Sequence, residues 1–199
     1  FFNKVVDKVV QFQNQMAGRL ADVVATYTRD YAMHSPYLSQ FVDRKLVIIP
    51  PPITLDPASD EVVRSFHEKY ALGNRPVIGI SARLAAENIL GEEAYANRLA
   101  PLFEQFKAHY KLLGTLQGDE LTAFYRNLDV LCICSLNSTE SFGLVQIEAM
   151  RNGVPVAACN LPGVRQPVAM TGMGEVTAIG DSNALAEALI RILDNREHY

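Results

Sequence analysis

Along the second half of the chain, short apolar runs alternate with stretches whose apolar residues recur at helical spacing. Leu128–Ser135 (LDVLCICS) is an apolar run of strand length, rich in residues that favour strands. Phe142–Asn152 follows with apolar residues at Leu144, Val145, Ile147, Ala149 and Met150, and stops at Gly153, a natural residue just past a helix end. Val154–Cys159 (VPVAAC) is the next strand. Strand, loop, helix and strand make a βαβ unit, whose crossover is right-handed and whose strands are parallel. The loop Leu136–Ser141 therefore lies at a strand carboxyl end, where open α/β sheets bind ligands.

The first half predicts a similar alternation. Phe2–Leu20 places Val5, Val6, Val9, Phe12 and Met16 at helical spacing. Asp22–Thr28 reads as a strand, Asp30–Phe41 as a helix and Lys45–Ile49 as another strand. Pro50-Pro51-Pro52 marks a stiff extended linker. Asp60–Ala71 reads as a helix capped by Ser59 or Asp60.

Composition narrows the class without naming a function. With 199 residues, 49% hydrophobic and 20% charged, the chain holds one full core and part of another. A formal charge of −4 and no evident basic face argue against nucleic acid as a main partner. No apolar run reaches the length of a transmembrane helix. Three cysteines, two of them alternating in one strand, fit a reducing cytosol. No internal repeat or low-complexity stretch is present.

The chemistry concentrates in Glu140–Ala149 (ESFGLVQIEA), which sets two carboxylates eight positions apart around a Phe-Gly step. The first amides of a helix lack internal partners and sit at the positive end of its dipole. Gly143 carries no side chain, so the turn Phe142–Val145 can bring its N–H groups close to a phosphate. Glu140 stands just ahead of the helix, placed to accept from hydroxyls of whatever the phosphate carries. Glu148 lies about 12 Å further on, turned by roughly 80° at ~1.5 Å and ~3.6 residues per turn. Such a pair suits the two ends of one long ligand better than a glycosidase acid/base couple, whose carboxyls stand about 5 to 9.5 Å apart.

These residues resemble a known signature. Glu140, Phe142-Gly143-Leu144, Glu148-Ala149-Met150 and Gly153-Val154-Pro155-Val156 are similar to the E-x7-E motif of retaining, nucleotide-sugar-dependent glycosyltransferases of the large "group 1" family, which has the GT-B fold. Val77–Leu84 (VIGISARL) resembles the strand and Gly/Ser-x-Arg-Leu step that opens that family's C-terminal domain. Leu112-Leu113-Gly114, Asp119-Glu120-Leu121, Tyr125 and Leu128-Asp129-Val130 resemble the run before the signature, and Asp181–Leu193 the helix after it. The likeness covers most of Pro76–Asp194.

The resemblance implies an α/β protein of GT-B type: a Rossmann-like parallel sheet flanked by helices, with part of a second Rossmann-like domain. Residues 1–52 would be the end of the N-terminal, acceptor-binding domain, 53–75 a linker and lead-in helix, and 76–199 the domain that binds the nucleotide-sugar donor. The opening Phe1-Phe2-Asn3 has no initiator Met, so the chain is expected to be a fragment lacking the larger part of its N-terminal domain. The implied reaction transfers a sugar from a UDP-, GDP- or ADP-sugar to a hydroxyl of a sugar, lipid-linked or other acceptor, with retention of configuration and without a metal or other cofactor. Glu140 would bind donor sugar hydroxyls with help from the amides of Ser141, Phe142 and Gly143. The amides of Leu144 and Val145 would hold the diphosphate and Glu148 the ribose hydroxyls. Arg83 would pair with the diphosphate and stabilise the leaving group. The base would lie near Leu113–Thr115. A cytoplasmic location follows, with the inner membrane face as a variant. The chain contains no D-x-D pair, in keeping with a metal-independent reading.

Three departures from the family pattern stand out. After Arg83 the family has a Lys as its second diphosphate cation, but here no Lys appears until Lys107. The stretch from Arg83 to Glu140 is short by one helix and one strand. Either that unit is deleted or a segment between about Glu87 and Asn88 is missing from this chain. The second is expected, because losing a central strand would leave unpaired sheet edges and a hole in the core. Leu161-Pro162-Gly163-Val164-Arg165-Gln166 replaces a Gly-Gly step followed by Glu, and Gln166 lacks the charge.

Plainer readings compete at several positions. Cys132 and Cys134 share a strand face, yet nothing nearby in sequence completes a metal or redox site. His34, His67 and His109 read as surface or packing residues. Arg83 could serve a structural ion pair, and Glu148 alone would be an ordinary exposed helix residue. Phe1–Met16, with Lys4 and Lys8, reads as a domain helix, with peripheral membrane association as its alternative. Two function classes follow: a retaining glycosyltransferase, or a donor-binding module without turnover by itself. An epimerase of the same fold is a weaker third, disfavoured by the Glu-x7-Glu pair.

Overall fold

The computed structural model describes residues 2–81, 100–137 and 140–199. The chain begins with helix α1 (Phe2–Leu20), strand β1 (Val24–Thr26), helix α2 (Arg29–His34) and strand β2 (Leu46–Ile48). Strands β1 and β2 pair in parallel, Val24 opposite Leu46 and Thr26 opposite Ile48. Helix α3 (Asp60–Lys69) leads to β3 (Ile78–Gly79). After it come α4 (Gly118–Arg126), β4 (Val130–Ile133), α5 (Leu144–Arg151), β5 (Val156–Cys159), α6 (Gln166–Thr171), β6 (Gly174–Thr177) and α7 (Ser182–Asp194). The second sheet runs β3-β4-β5-β6 with every pairing parallel.

Each residue of β4 and β5 is buried, as expected for parallel strands covered on both faces, and this explains why they read as unbroken apolar runs. On one face Leu131, Ile133, Val156 and Ala158 pack with Tyr125, Phe124, Ala149, Met150 and Phe66. On the other, Val130 and Ala157 meet Ile192 of α7. The βαβ unit β4-α5-β5 is formed as its spacing predicts.

The differences from the sequence expectations have local causes. The helix expected over Asp30–Phe41 stops at His34, where Ser35 is extended (ψ 124°), because Pro36 disfavours helical geometry in the residue before it. A single 3-10 turn (Ser39–Phe41) takes up the rest. Helix α3 is capped by Ser59, whose hydroxyl accepts from Val62 N–H, and ends at Lys69 rather than Ala71. Helices α4 and α6 and strand β6 were not predicted from hydrophobic spacing. The segment after Pro50, expected to be a stiff extended linker, is bonded to the neighbouring helices. Arg151 donates to the Ile53 carbonyl, the Thr122 hydroxyl to that of Asp56 and Arg126 to that of Ala58, strapping it along the second sheet's domain.

Helix α1 shows Val6, Val9, Val10, Phe12 and Met16 to solvent. Among the described residues no helix is long and apolar enough to cross a membrane. The junction expected near residues 87/88 lies outside the described residues.

Candidate functional site

At the carboxyl end of β4 the chain turns into α5 through Gly143, which adopts φ +74°. A Cβ there would come within 2.7 Å of Gln146 Nε2 and 3.3 Å of Ile133 Cδ1, so both the backbone angle and the space require glycine. The Glu140 carboxylate folds over this turn. Its Oε1 accepts from Gly143 N–H at 2.7 Å and from Phe142 N–H at 3.4 Å. A carboxylate is favoured at the positive end of a helix, which accounts for the position. Glu140 and two of the amides expected to assist it are therefore joined to one another here. The N–H groups of Leu144 and Val145 have no partner among the described residues.

Glu148, on the second turn of α5, accepts a 2.5 Å bond from the Tyr125 hydroxyl. Tyr125 is fully buried, and burial, followed by the Glu148 carboxylate, pushes its phenol well above the ordinary value. Its hydroxyl also interacts with Ser81, just beyond β3. Glu148 is thus held by a rigid ring from α4 and does not wander on an exposed helix face. Tyr125 entered the sequence reading only as part of a family run; the pairing of α4 with α5 gives it this contact.

Gln146 is the second residue that sequence reasoning missed. Completely buried, it donates from Nε2 to the carbonyls of Phe142 (2.9 Å) and Val164 (2.8 Å). It ties the turn before α5 to the loop after β5, while its own Oε1 has no partner among the described residues. A polar residue amid the apolar positions of α5 was the available signal.

The loop after β5 comes still closer at Gly163, where φ is +82° and a Cβ would lie 2.1 Å from the Ser141 carbonyl oxygen. The first sheet's end completes the frame. The ring of Tyr27 packs 5.9 Å from that of Phe142. Asp30 accepts from Gly163 N–H at 2.9 Å and takes Arg165 in a two-pronged pair, at 2.9 Å to Nε and 2.6 Å to a terminal nitrogen. The Arg165 guanidinium, and then the Gly163 amide, hold the Asp30 carboxyl below its usual range against the opposing effect of burial.

The structure therefore gathers Glu140, Ser141, Phe142, Gly143, Leu144, Val145 and Glu148 on one turn and helix. Arg83 lies outside the described residues. Gln166 opens α6, and its N–H is bonded to the Gly163 carbonyl. His67 bonds to Asn127 Oδ1 through Nδ1, and His34 to the Asp30 carbonyl. Among the described residues, no group of three or more His, Cys, Asp or Glu is arranged to hold a metal ion.

Parallel strands, a glycine-opened turn at a strand carboxyl end and a second sheet facing it define a GT-B type architecture, and solved structures agree. Anabaena Alr3699/HepE in complex with UDP and glucose superposes with a TM-score of 0.75 over 94% of this chain and 59% of that one, at 19% identity. Sucrose-phosphate synthase from Thermosynechococcus elongatus gives 0.74 over 96% and 53%, at 20% identity. Residues 88–199, more than half of the chain, match the model of the glycosyl transferases group 1 family, and the chain belongs to that family. It is 38% identical over 94 residues to a phosphatidyl-myo-inositol mannosyltransferase of Mycobacterium leprae, a region covering 46% of this chain and 25% of that protein. It is 34% identical over 119 residues to the sulfoquinovosyl transferase SQD2 of Arabidopsis thaliana (58% and 22%). It is 40% identical over 87 residues to a D-inositol 3-phosphate glycosyltransferase of Corynebacterium glutamicum (44% and 20%). The matched region spans a quarter or less of these curated relatives.

Proposed function

We propose that this chain is the donor-binding part of a glycosyltransferase that moves a sugar from a nucleotide-diphosphate sugar to an acceptor hydroxyl, with retention of configuration and without a metal. The observation that carries this reading is the turn Glu140–Val145. A helix start opened by Gly143 leaves the Leu144 and Val145 amides without partners among the described residues, with a carboxylate at its mouth and a second held one turn along by Tyr125. The two amides take the diphosphate. Glu148, with one oxygen bonded to Tyr125, accepts the ribose hydroxyls with the other. Glu140 exchanges its bonds to the Phe142 and Gly143 amides for the donor sugar's hydroxyls, and those amides turn to the ligand along with that of Ser141.

Arg83 neutralises the departing diphosphate with the helix amides, the task a divalent ion performs in other sites. The acceptor oxygen attacks the anomeric carbon on the face the diphosphate is leaving. The bond from that carbon to the phosphate oxygen breaks, and the phosphate takes the acceptor proton. Structures of a fold neighbour with UDP and with UDP-glucose support the donor class. A second reading, a donor-binding module without turnover by itself, draws on the missing Lys after Arg83.

Calorimetry with UDP, GDP, ADP and their sugar conjugates tests the assignment. Glu148→Ala should weaken binding of the free nucleotide. Glu140→Ala should leave the free nucleotide bound while harming the sugar nucleotide. Two variants that bind both ligands like the parent would remove the basis of the reading.

A further inference from the structure

One carboxylate beside the first sheet reaches across to the loop behind the proposed donor turn. Asp30 lies in the first turn of α2, whose start Thr28 caps by accepting from Tyr31 N–H at 3.1 Å. That cap fixes where the Asp30 side chain leaves the helix. Its Oδ2 accepts from Gly163 N–H and Arg165 Nε, each at 2.9 Å, and its Oδ1 from Arg165 Nη2 at 2.6 Å. The Asp30 side chain is 15% exposed and that of Arg165 27%, so water screens this pair far less than an exposed one.

The loop that Asp30 holds cannot move without disturbing the turn. Gly163 is wedged between the two sides: a Cβ on it would lie 2.1 Å from the Ser141 carbonyl oxygen and 3.1 Å from the Tyr31 Cβ. The next carbonyl, that of Val164, accepts from Gln146 Nε2, which also donates to the Phe142 carbonyl. The ring of Tyr27, between β1 and α2, packs on that of Phe142. Three routes from β1 and α2 thus end on Ser141 and Phe142, the part of the turn that meets the donor sugar in the proposed reading. Glu148, at the ribose end, is held instead by Tyr125 of α4.

The structure assigns to Asp30 the role of a positioning residue: from the first sheet's side it fixes the sugar-binding part of the donor turn, and so sets how strongly the whole donor is preferred over the free nucleotide. This rests on the donor reading for what the turn binds. Removing the carboxylate frees Arg165, takes the acceptor from Gly163 N–H and releases the loop that backs Ser141 and Phe142. The coupling runs through Gly163 and Gln146 and needs no contact between Asp30 and the donor.

The test compares Asp30→Ala and Asp30→Asn in the 199-residue chain with Arg29→Ala, a control on the same helix. Arg29 pairs with Asp43 at the surface, away from the loop. Calorimetry uses UDP, GDP and ADP and their glucose or mannose conjugates, well below each variant's melting temperature. In Asp30→Ala, affinity for the sugar nucleotide should fall at least about fivefold, while that for the free nucleotide stays within about twofold. Asp30→Asn, which keeps one acceptor oxygen, should fall between Asp30→Ala and the parent. Hydrogen exchange read by mass spectrometry should be at least about fivefold faster across residues 140–146 in Asp30→Ala and unchanged across β4 and β5. Arg29→Ala should match the parent in both measurements. Equal losses for nucleotide and sugar nucleotide, with faster exchange throughout, would mean a general loosening of the fold and overturn the assignment. Parental exchange across residues 140–146 in Asp30→Ala would overturn it too. A parent that binds none of these ligands would end the donor reading, and exchange would then decide the role of Asp30 by itself.

Discussion

Replacing Gln146 with Met probes the bond that joins the two loops of the site. The substitution keeps length and flexibility within a fully buried position but removes the amide. Among the described residues, Gln146 Nε2 is the partner of both the Phe142 and the Val164 carbonyls. Leaving two buried carbonyls unpaired costs about 1–3 kcal/mol each. Against that, the variant also removes Gln146 Oε1, a buried acceptor without a partner among the described residues, at a saving of similar size. The net expectation is a loss of about 1–3 kcal/mol, which for a chain of this length lowers the melting temperature by roughly 2 to 12 °C. Calorimetric unfolding measures it directly. Gln146→Glu sharpens the test, because an ionised carboxylate cannot donate to either carbonyl. The new acid should have a raised pKa in the folded state, so its variant should be least stable at neutral pH and recover as the pH falls. A Gln146→Met protein melting within a degree of the parent would refute the claim that this side chain holds the loops together.

Further expectations concern the neighbouring contacts. Asp30→Asn should weaken the pair with Arg165 and lower the melting temperature at neutral pH. Because the folded Asp30 carboxyl lies below its unfolded value of about 3.9, its contribution is present above that pH and fades as pH falls through the folded value. The difference in melting temperature between parent and Asp30→Asn should therefore be constant near neutrality and shrink below about pH 4. Gly163→Ala places a Cβ 2.1 Å from the Ser141 carbonyl at φ +82°, and should cost at least ~2 kcal/mol in chemical denaturation. Tyr125→Phe removes only the hydroxyl that holds Glu148. Nucleotide affinity, by calorimetry, should fall by about 5- to 30-fold, equivalent to ~1–2 kcal/mol, with the fold retained.

Hydrophobic spacing by itself determined the βαβ unit around Glu140–Glu148, the parallel sense of its strands and the position of its loop at a strand carboxyl end. These follow from short-range rules: strand-length apolar runs, helical periodicity and the right-handed crossover. The Glu-x7-Glu spacing likewise marked the turn and its two carboxylates, since one lies just ahead of a helix and the other on it. Local reasoning failed first where a nearby breaker intervened, as at Pro36, and where an element was too short to show a period, as in α6 and β6. What only the tertiary structure decided are the contacts between residues distant in sequence. Tyr125 reaches Glu148 because α4 packs beside α5. Asp30 reaches Arg165 because the first sheet's end faces the second's. Spacing along a chain specifies which face a residue takes. Which other face it meets is set by packing and strand pairing, whose free energy is shared over many residues and is written in no single motif.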